Sequence, residues 1–181
     1  MKTENTQSHF RKQVEKSQNC QRVFDALKNL DIPFQVYDHS PIRTSGDAFL
    51  LSEDVEGGKC KNLFLRNNEG TNHYLVILGL ESRCDLKVLA RKLNERKRLG
   101  FASEDRLLRY LGVPSESVSP FNLLNGNGTE VIIVVEEALL SHEKLAFHPN
   151  ENTATLVLTV RDFMKYLRSL ENRVNYVDLS V

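Results

Sequence analysis

Two short apolar runs at the centre of the chain, Asn62-Leu-Phe-Leu65 and Tyr74-Leu-Val-Ile-Leu78, constrain its fold most, because Asn67-Asn-Glu-Gly70 separates them. Runs of four or five such residues are too short for buried helices, and Asn and Gly supply hairpin turn chemistry. An antiparallel β-hairpin is therefore expected here. Strands are also expected at 34–37, at 131–135 by β-branched content, at 155–160 and at 173–179, with a further one ending at Phe147.

Helical periodicity lies between these runs. Val23, Phe24, Leu27 and Leu30 recur at helical spacing until Asp31-Ile32-Pro33 ends the run. A second helix is expected from about residue 45 to 54, closed by Gly57-Gly58, and Asp85 reads as the cap of a helix over 86–93. Ser103 opens another helix, with Leu107, Leu108 and Leu111 on its buried side. A last one spans 161–170, with Phe163, Met164 and Leu167 facing inward. There is no regular βαβ alternation, which excludes Rossmann and TIM architectures. The expected class is α/β of the α+β type: a mixed, mostly antiparallel sheet with packed helices. Residues 1–16 are polar and aperiodic and read as a flexible extension, which leaves 17–181 as one domain.

Composition narrows the function classes. The 181 residues carry 24 Lys plus Arg against 24 Asp plus Glu. No global field draws nucleic acid, so any contact with it must come from a local patch. One candidate is the crowd Arg91-Lys92, Arg96-Lys97-Arg98, Arg106 and Arg109, read as largely helical with several residues sharing one face, although charge runs are usually solvated helix faces. The three cysteines, Cys20, Cys60 and Cys84, have neither disulfide nor zinc spacing. The polar N-terminus lacks a signal-peptide core, and no run suits a membrane span, so a cytoplasmic protein is expected.

Four polar stretches are left over by the core. Gly57-Gly-Lys-Cys-Lys-Asn62 precedes a strand; its glycines can let backbone approach a ligand and Lys61 can place an ammonium beside a phosphate or carbonyl, or it is a tight loop with two solvated lysines. The loop 115–128 offers backbone groups around Val118, Phe121 and Leu123-Leu124, or is an ordinary anchored connection. His148, between Phe147 and Pro149, can orient a substrate or pass a proton, or is structural; no Ser or Cys pairs with it as a nucleophile. Asp38–Thr44 contains His39, whose spacing to His148 supports no metal site.

In order, these stretches resemble the YbaK/ProX family of aminoacyl-tRNA deacylases, in particular its freestanding prolyl-tRNA synthetase-associated branch. The match rests on His39-Ser-Pro41-Ile-Arg-Thr44, Lys61-Asn62-Leu63-Phe64-Leu65, Glu116-Ser117-Val118-Ser119-Pro120-Phe121-Asn122-Leu123 and Phe147-His148-Pro149-Asn152-Ala154-Thr155. It spans roughly residues 22–179. The resemblance implies a curled, barrel-like sheet wrapped by helices and hydrolysis of the ester of mischarged tRNA, alanyl-tRNA(Pro) above all. Cysteinyl-, seryl- or threonyl-tRNA, or a regulatory module that only binds, are the alternatives. It implies that Lys61, Asn62 and His148 are catalytic and that His39, Ile42, Thr44, Ser117, Val118, Ser119, Phe121 and Asn152 bind substrate. Arg96, Lys97 and Arg98 are the candidates for tRNA contact. No metal or cofactor is implied; mischarged tRNA and prolyl-tRNA synthetase are the expected partners of a monomer or weak dimer. Glu116 and Asn122 stand where the family usually has Gly, and a side chain at either position would narrow the loop.

Overall fold

The computed structural model describes residues 17–41 and 55–179. The expected extension at 1–16, the helix at 45–54 and the candidates Ile42 and Thr44 lie outside the described residues. Four α-helices and eight strands are described: α1 (Gln18–Asn29), β1 (Gln35–Asp38), β2 (Gly58–Arg66), β3 (His73–Gly79), α2 (Leu86–Lys92), β4 (Gly100–Phe101), α3 (Glu104–Tyr110), β5 (Ile132–Glu136), β6 (Lys144–Phe147), β7 (Ala154–Thr159), α4 (Val160–Ser169) and β8 (Val174–Val177). None of the described helices is long and apolar enough to cross a membrane.

The strands form an open sheet in the order β1-β7-β6-β2-β3-β5-β8, with β4 added beside β2. Four pairings are antiparallel, the β2–β3 hairpin among them, and β2–β6, β3–β5 and β5–β8 are parallel. The parallel pairings need long crossovers, which carry helices over the sheet.

β2 runs through the whole arrangement, and the period of two along a strand divides its side chains between two cores. Phe64 joins Leu75, Ile77, Ile133 and Val135 under α1, α3 and α4. Leu65 joins Tyr74, Val76, Leu78 and Val134 under α2. We refer to these as the α4 face and the α2 face.

Local expectations hold with three differences. Leu107 and Leu111 are buried, but Leu108 is 55% exposed. It sits about 100° around the helix from Leu107, and α3 covers the sheet along the narrow stripe that Leu107 and Leu111 define. On α4 the buried stripe is Phe163, Tyr166 and Leu167, with Met164 at its flank. Tyr166 is fully buried because its hydroxyl donates to Pro120 O at 3.0 Å. The Gly57-Gly58 pair approaches protein rather than open space. A Cβ on Gly57 (φ +93°) would stand 3.0 Å from Lys144 O, and one on Gly58 would stand 2.9 Å from the His142 ring.

Candidate active site

All four polar stretches meet at the end of β6. The parallel register pairs Gly58 with Leu145 and Lys59 with Ala146, so carried three residues on it brings His148 level with Lys61. β1 pairs with β7 antiparallel, Asp38 opposite Ala154, and His39 N donates to Thr153 O at 2.9 Å. This sets His39 beside the turn that follows His148. The His39 ring spans two partners: Nδ1 lies 2.8 Å from Ser40 O and Nε2 lies 3.0 Å from Thr155 Oγ1. A carbonyl only accepts, so Nδ1 carries the proton.

The loop 117–122 is held from below by a closed set of polar contacts. Ser119 Oγ donates to His148 O at 2.9 Å, and Ser119 N donates to Asn122 Oδ1 at 2.6 Å. Asn122 Nδ2 donates to Asn150 Oδ1 at 2.8 Å, and Asn150 Nδ2 donates to Phe121 O at 3.2 Å. Asn150 takes a left-handed φ of +59°, which Asn tolerates better than most residues. Asn122 is thus fully buried and clips the loop to the His148–Asn152 turn. Glu116 is exposed and away from this set. Phe121, also fully buried, packs on Phe147 and Tyr166, and Val118 and Ser119 are buried too. These three residues support the loop from within, and its main chain is what they leave for a ligand. Ser117 and Asn152 are half-buried beside it.

The main-chain carbonyl of Val118 is where Asn62 and His148 converge. Asn62 Nδ2 donates to Val118 O at 3.1 Å, and the His148 ring also hydrogen-bonds to the Val118 backbone. Nδ1 of His148 has no hydrogen-bond partner, which leaves the contact with the Val118 backbone to Nε2. A carbonyl oxygen has two lone pairs and can accept both. Each donor leaves one acceptor behind it. Asn62 Oδ1 and His148 Nδ1 are, among the described residues, the buried side-chain polar atoms without a hydrogen-bond partner. Such atoms are costly unless something fills them. Burial pushes the His148 pKa down to about 4, with nearby His39 lowering it further against the Val118 contact. At neutral pH His148 is an uncharged imidazole with a vacant acceptor.

Lys61 is separated from this pair. It follows the alternation of β2 onto the α2 face, while its neighbour Asn62 lies on the α4 face. Its Nζ donates to Ser82 O at 2.5 Å. Lys59 donates to Val55 O. Neither lysine of this stretch is therefore simply solvated. The turn that receives Lys61 is fixed by Glu136, whose Oε2 accepts from Gly79 N at 2.8 Å and Ser82 Oγ at 2.7 Å. Sequence reasoning overlooked Glu136; the signal was a carboxylate closing the apolar run Ile132–Val135.

The basic residues are dispersed. α2 ends at Lys92, and Asn94 at φ +60° turns the chain away. Arg96, Lys97 and Arg98 are exposed on the connection to β4 and share no helix face with Arg106 or Arg109. Arg96 lines a cleft with Glu95, Tyr74 and Arg173, whereas Arg98 lines another with Leu63, Cys84 and Phe101. No group of three or more His, Cys, Asp or Glu poised for a metal ion occurs among the described residues.

Comparison with known proteins identifies the family. The aminoacyl-tRNA editing domain family matches residues 39–166, from His39 to Tyr166, and so includes every motif that meets at Val118. The chain is 36% identical over 159 residues to the prolyl-tRNA editing protein ProX of Acetoanaerobium sticklandii, covering 88% of this chain and 96% of that one. It is 30% identical over 146 residues to the prolyl-tRNA synthetase associated domain-containing protein 1 of Mus musculus, covering 79% and 86%. A crystal structure described as a candidate trans-editing enzyme for prolyl tRNA synthetase superposes with a TM-score of 0.69 at 20% identity, covering 92% of this chain and 100% of that one. This last likeness concerns the fold. Motifs, register and relatives agree, and the chain belongs to the aminoacyl-tRNA editing domain family.

Proposed function

We propose that this protein hydrolyses the ester of mischarged tRNA as a freestanding editing enzyme, with alanyl-tRNA(Pro) as its substrate. The observation that carries the reading is the pair of vacant acceptors, Asn62 Oδ1 and His148 Nδ1, buried on either side of the Val118 carbonyl. An attacking water has two hydrogens to donate, and two fixed acceptors orient it without a covalent nucleophile. The names of the relatives, an editing protein and a synthetase-associated domain, support the same substrate class.

Each residue then has a task. His148, uncharged, holds the water and takes its proton as the water oxygen bonds to the ester carbonyl carbon. The 2′-hydroxyl of the terminal adenosine passes its proton to the departing 3′-oxygen and is reprotonated by the His148 imidazolium, which returns the ring to its neutral form. Lys61 exchanges Ser82 O for the terminal phosphate, and the loop at 117–121 lends its main chain to the developing oxyanion. Preorganised charge of this kind is typically the largest contribution to such catalysis. Selection of alanine is steric, since a small apolar pocket discriminates by only ~1–3 kcal/mol per methylene.

Deacylation measured across alanyl-, cysteinyl-, seryl-, threonyl- and prolyl-tRNA tests the reading. Turnover fastest on alanyl-tRNA(Pro) is expected. Hydrolysis of none of them, with tight tRNA binding retained, would instead describe a module that only binds.

A further inference from the structure

Among the described residues the most exposed aromatic side chain is Phe101, at 63% accessibility. A single exposed apolar side chain is ordinary; its setting here is not. β4 is only two residues long, yet it is pinned on both sides. Gly100 and Phe101 pair with Arg66 and Leu65 of β2, Leu99 before them is buried, and Ala102 N donates to Phe64 O at 3.0 Å. The ring is thus presented by a rigid backbone. Registered opposite Leu65, it projects on the α2 face, the same face as Lys61 and Leu63.

Clefts open on both sides of the ring. One, of about 440 Å³, is walled by Leu63, Cys84, Leu86 and Phe101, with Lys87 and Arg98 exposed at its rim. The other, of about 390 Å³, brings Arg66 and Arg106 to the opposite side. The acidic neighbour in the first cleft is Asp85, whose carboxylate is turned into the start of α2, accepting from Lys87 N at 2.7 Å and Val88 N at 3.2 Å. Glu69 belongs to the second cleft. Arg66 and Arg106 are held by main-chain carbonyls, at Asn67 and Asn68 and at Gly70 respectively, and contribute fixed positive potential. Lys87 and Arg98 are the exposed cations that line the first cleft together with the ring.

We infer that Phe101, with Arg98 and Lys87, forms a stacking platform for an unpaired nucleotide of the tRNA substrate. The inference rests on the editing function proposed above and adds where the RNA lies. Every base offers a π-face, so one rigid aromatic ring flanked by cations holds single-stranded nucleic acid without reading sequence. A protein partner would need a broad apolar core, whereas here one ring is surrounded by positive charge. Position supports the same occupant. Leu65, the partner of Phe101, is four residues from Lys61 along β2, roughly 13 Å at strand spacing. Leu63 lies between them in the wall of the cleft. A nucleotide stacked on the ring is therefore within a few nucleotides' reach of a 3′ end held at Lys61.

The test is fluorescence anisotropy of the full chain with deacylated tRNA(Pro) transcript and with a single-stranded oligonucleotide ending in CCA, over a salt series. F101A is expected to weaken both by about tenfold or more, because one stacked base is worth roughly 5- to 150-fold by alanine substitution. The salt slope should not change, and F101Y should restore affinity. R98A should flatten the slope by about one ion. Binding by F101A within twofold of the unaltered chain overturns the platform. Loss of self-association in F101A, with RNA affinity intact, assigns the ring to a second copy of the chain and overturns it equally. Hydrolysis of a minimal aminoacyl ester by the unaltered chain is measured alongside. Deacylation of alanyl-, cysteinyl-, seryl- and threonyl-tRNA by the unaltered chain is measured with it; absence of turnover on all of these tRNAs rejects the editing function, while the binding series alone decides the platform.

Discussion

The two faces of β2 are built differently. On the α4 face, around Asn62, three helices cover the sheet, and the polar groups are buried and joined to one another through Ser119, Asn122 and Asn150. On the α2 face, around Lys61, one short helix covers a smaller core, and cations and an aromatic ring stand in solvent. The first arrangement suits chemistry, because dry, rigid acceptors hold a small molecule in one orientation. The second suits a long, charged, adaptable partner, for which solvated cations cost little to hold ready. One strand carries both.

The largest effect expected on this division comes from the α2 face. Lys61→Ala removes the ammonium while Leu63 and Leu65 keep the strand anchored, so the fold should persist. Deacylation should fall by about 10²- to 10³-fold, the scale of one lost preorganised contact. Single-turnover kinetics on alanyl-tRNA(Pro) would show it. Near-normal turnover in a folded variant would place the whole reaction on the α4 face.

A smaller effect, on stability, sharpens the other side. Asn122→Ala leaves Ser119 N–H and Asn150 Oδ1 buried without partners. At ~1–3 kcal/mol for each orphaned group, a loss of about 2–6 kcal/mol is expected in urea unfolding. Asn122→Gly should be no better, since it also lacks the amide. An unchanged midpoint would mean that the loop is held by packing alone.

A further effect is a pH dependence that arises on the α4 face. Burial holds the pKa of both His148 and His73 down to about 4, His73 being assisted by Arg106, Arg109 and Arg66. His73 stacks on Phe64, on that face. Between about 6.5 and 4 the unfolded chain binds protons that these folded histidines refuse, so stability rises with pH across this window and is lost as pH falls through it. Urea unfolding at pH 7 and pH 5 should differ, and His73→Gln should remove part of the difference. A variant with the full dependence would transfer the effect to His148.

The fold was legible where one period dominates. Val23 and Leu27 announce α1, and turn residues between Leu65 and Tyr74 announce the hairpin. The parallel pairings of β5 with β3 and β8 were not, because a buried apolar run does not say which neighbour it takes. Four motif stretches were readable as a set, yet only the register shows that Lys61 and Asn62 part company. Leu108 and Tyr166 show the limit of periodicity. A two-turn helix has one narrow stripe, and a tyrosine can be core when a carbonyl such as that of Pro120 waits for its hydroxyl. The basic run was legible as composition and misleading as geometry, since the turn at Asn94 divides it.

The seven-pair ladder that binds β2 to β3, Cys60 opposite Gly79 through Arg66 opposite His73, does more than close a hairpin. A slip of one residue in that ladder would exchange the faces of every side chain on the strand. The ammonium would enter the helix-covered interior and the amide would turn onto the α2 face. Reading frame and reaction are thus one property in this strand: whatever keeps Phe64 under the helices also keeps Lys61 out of them.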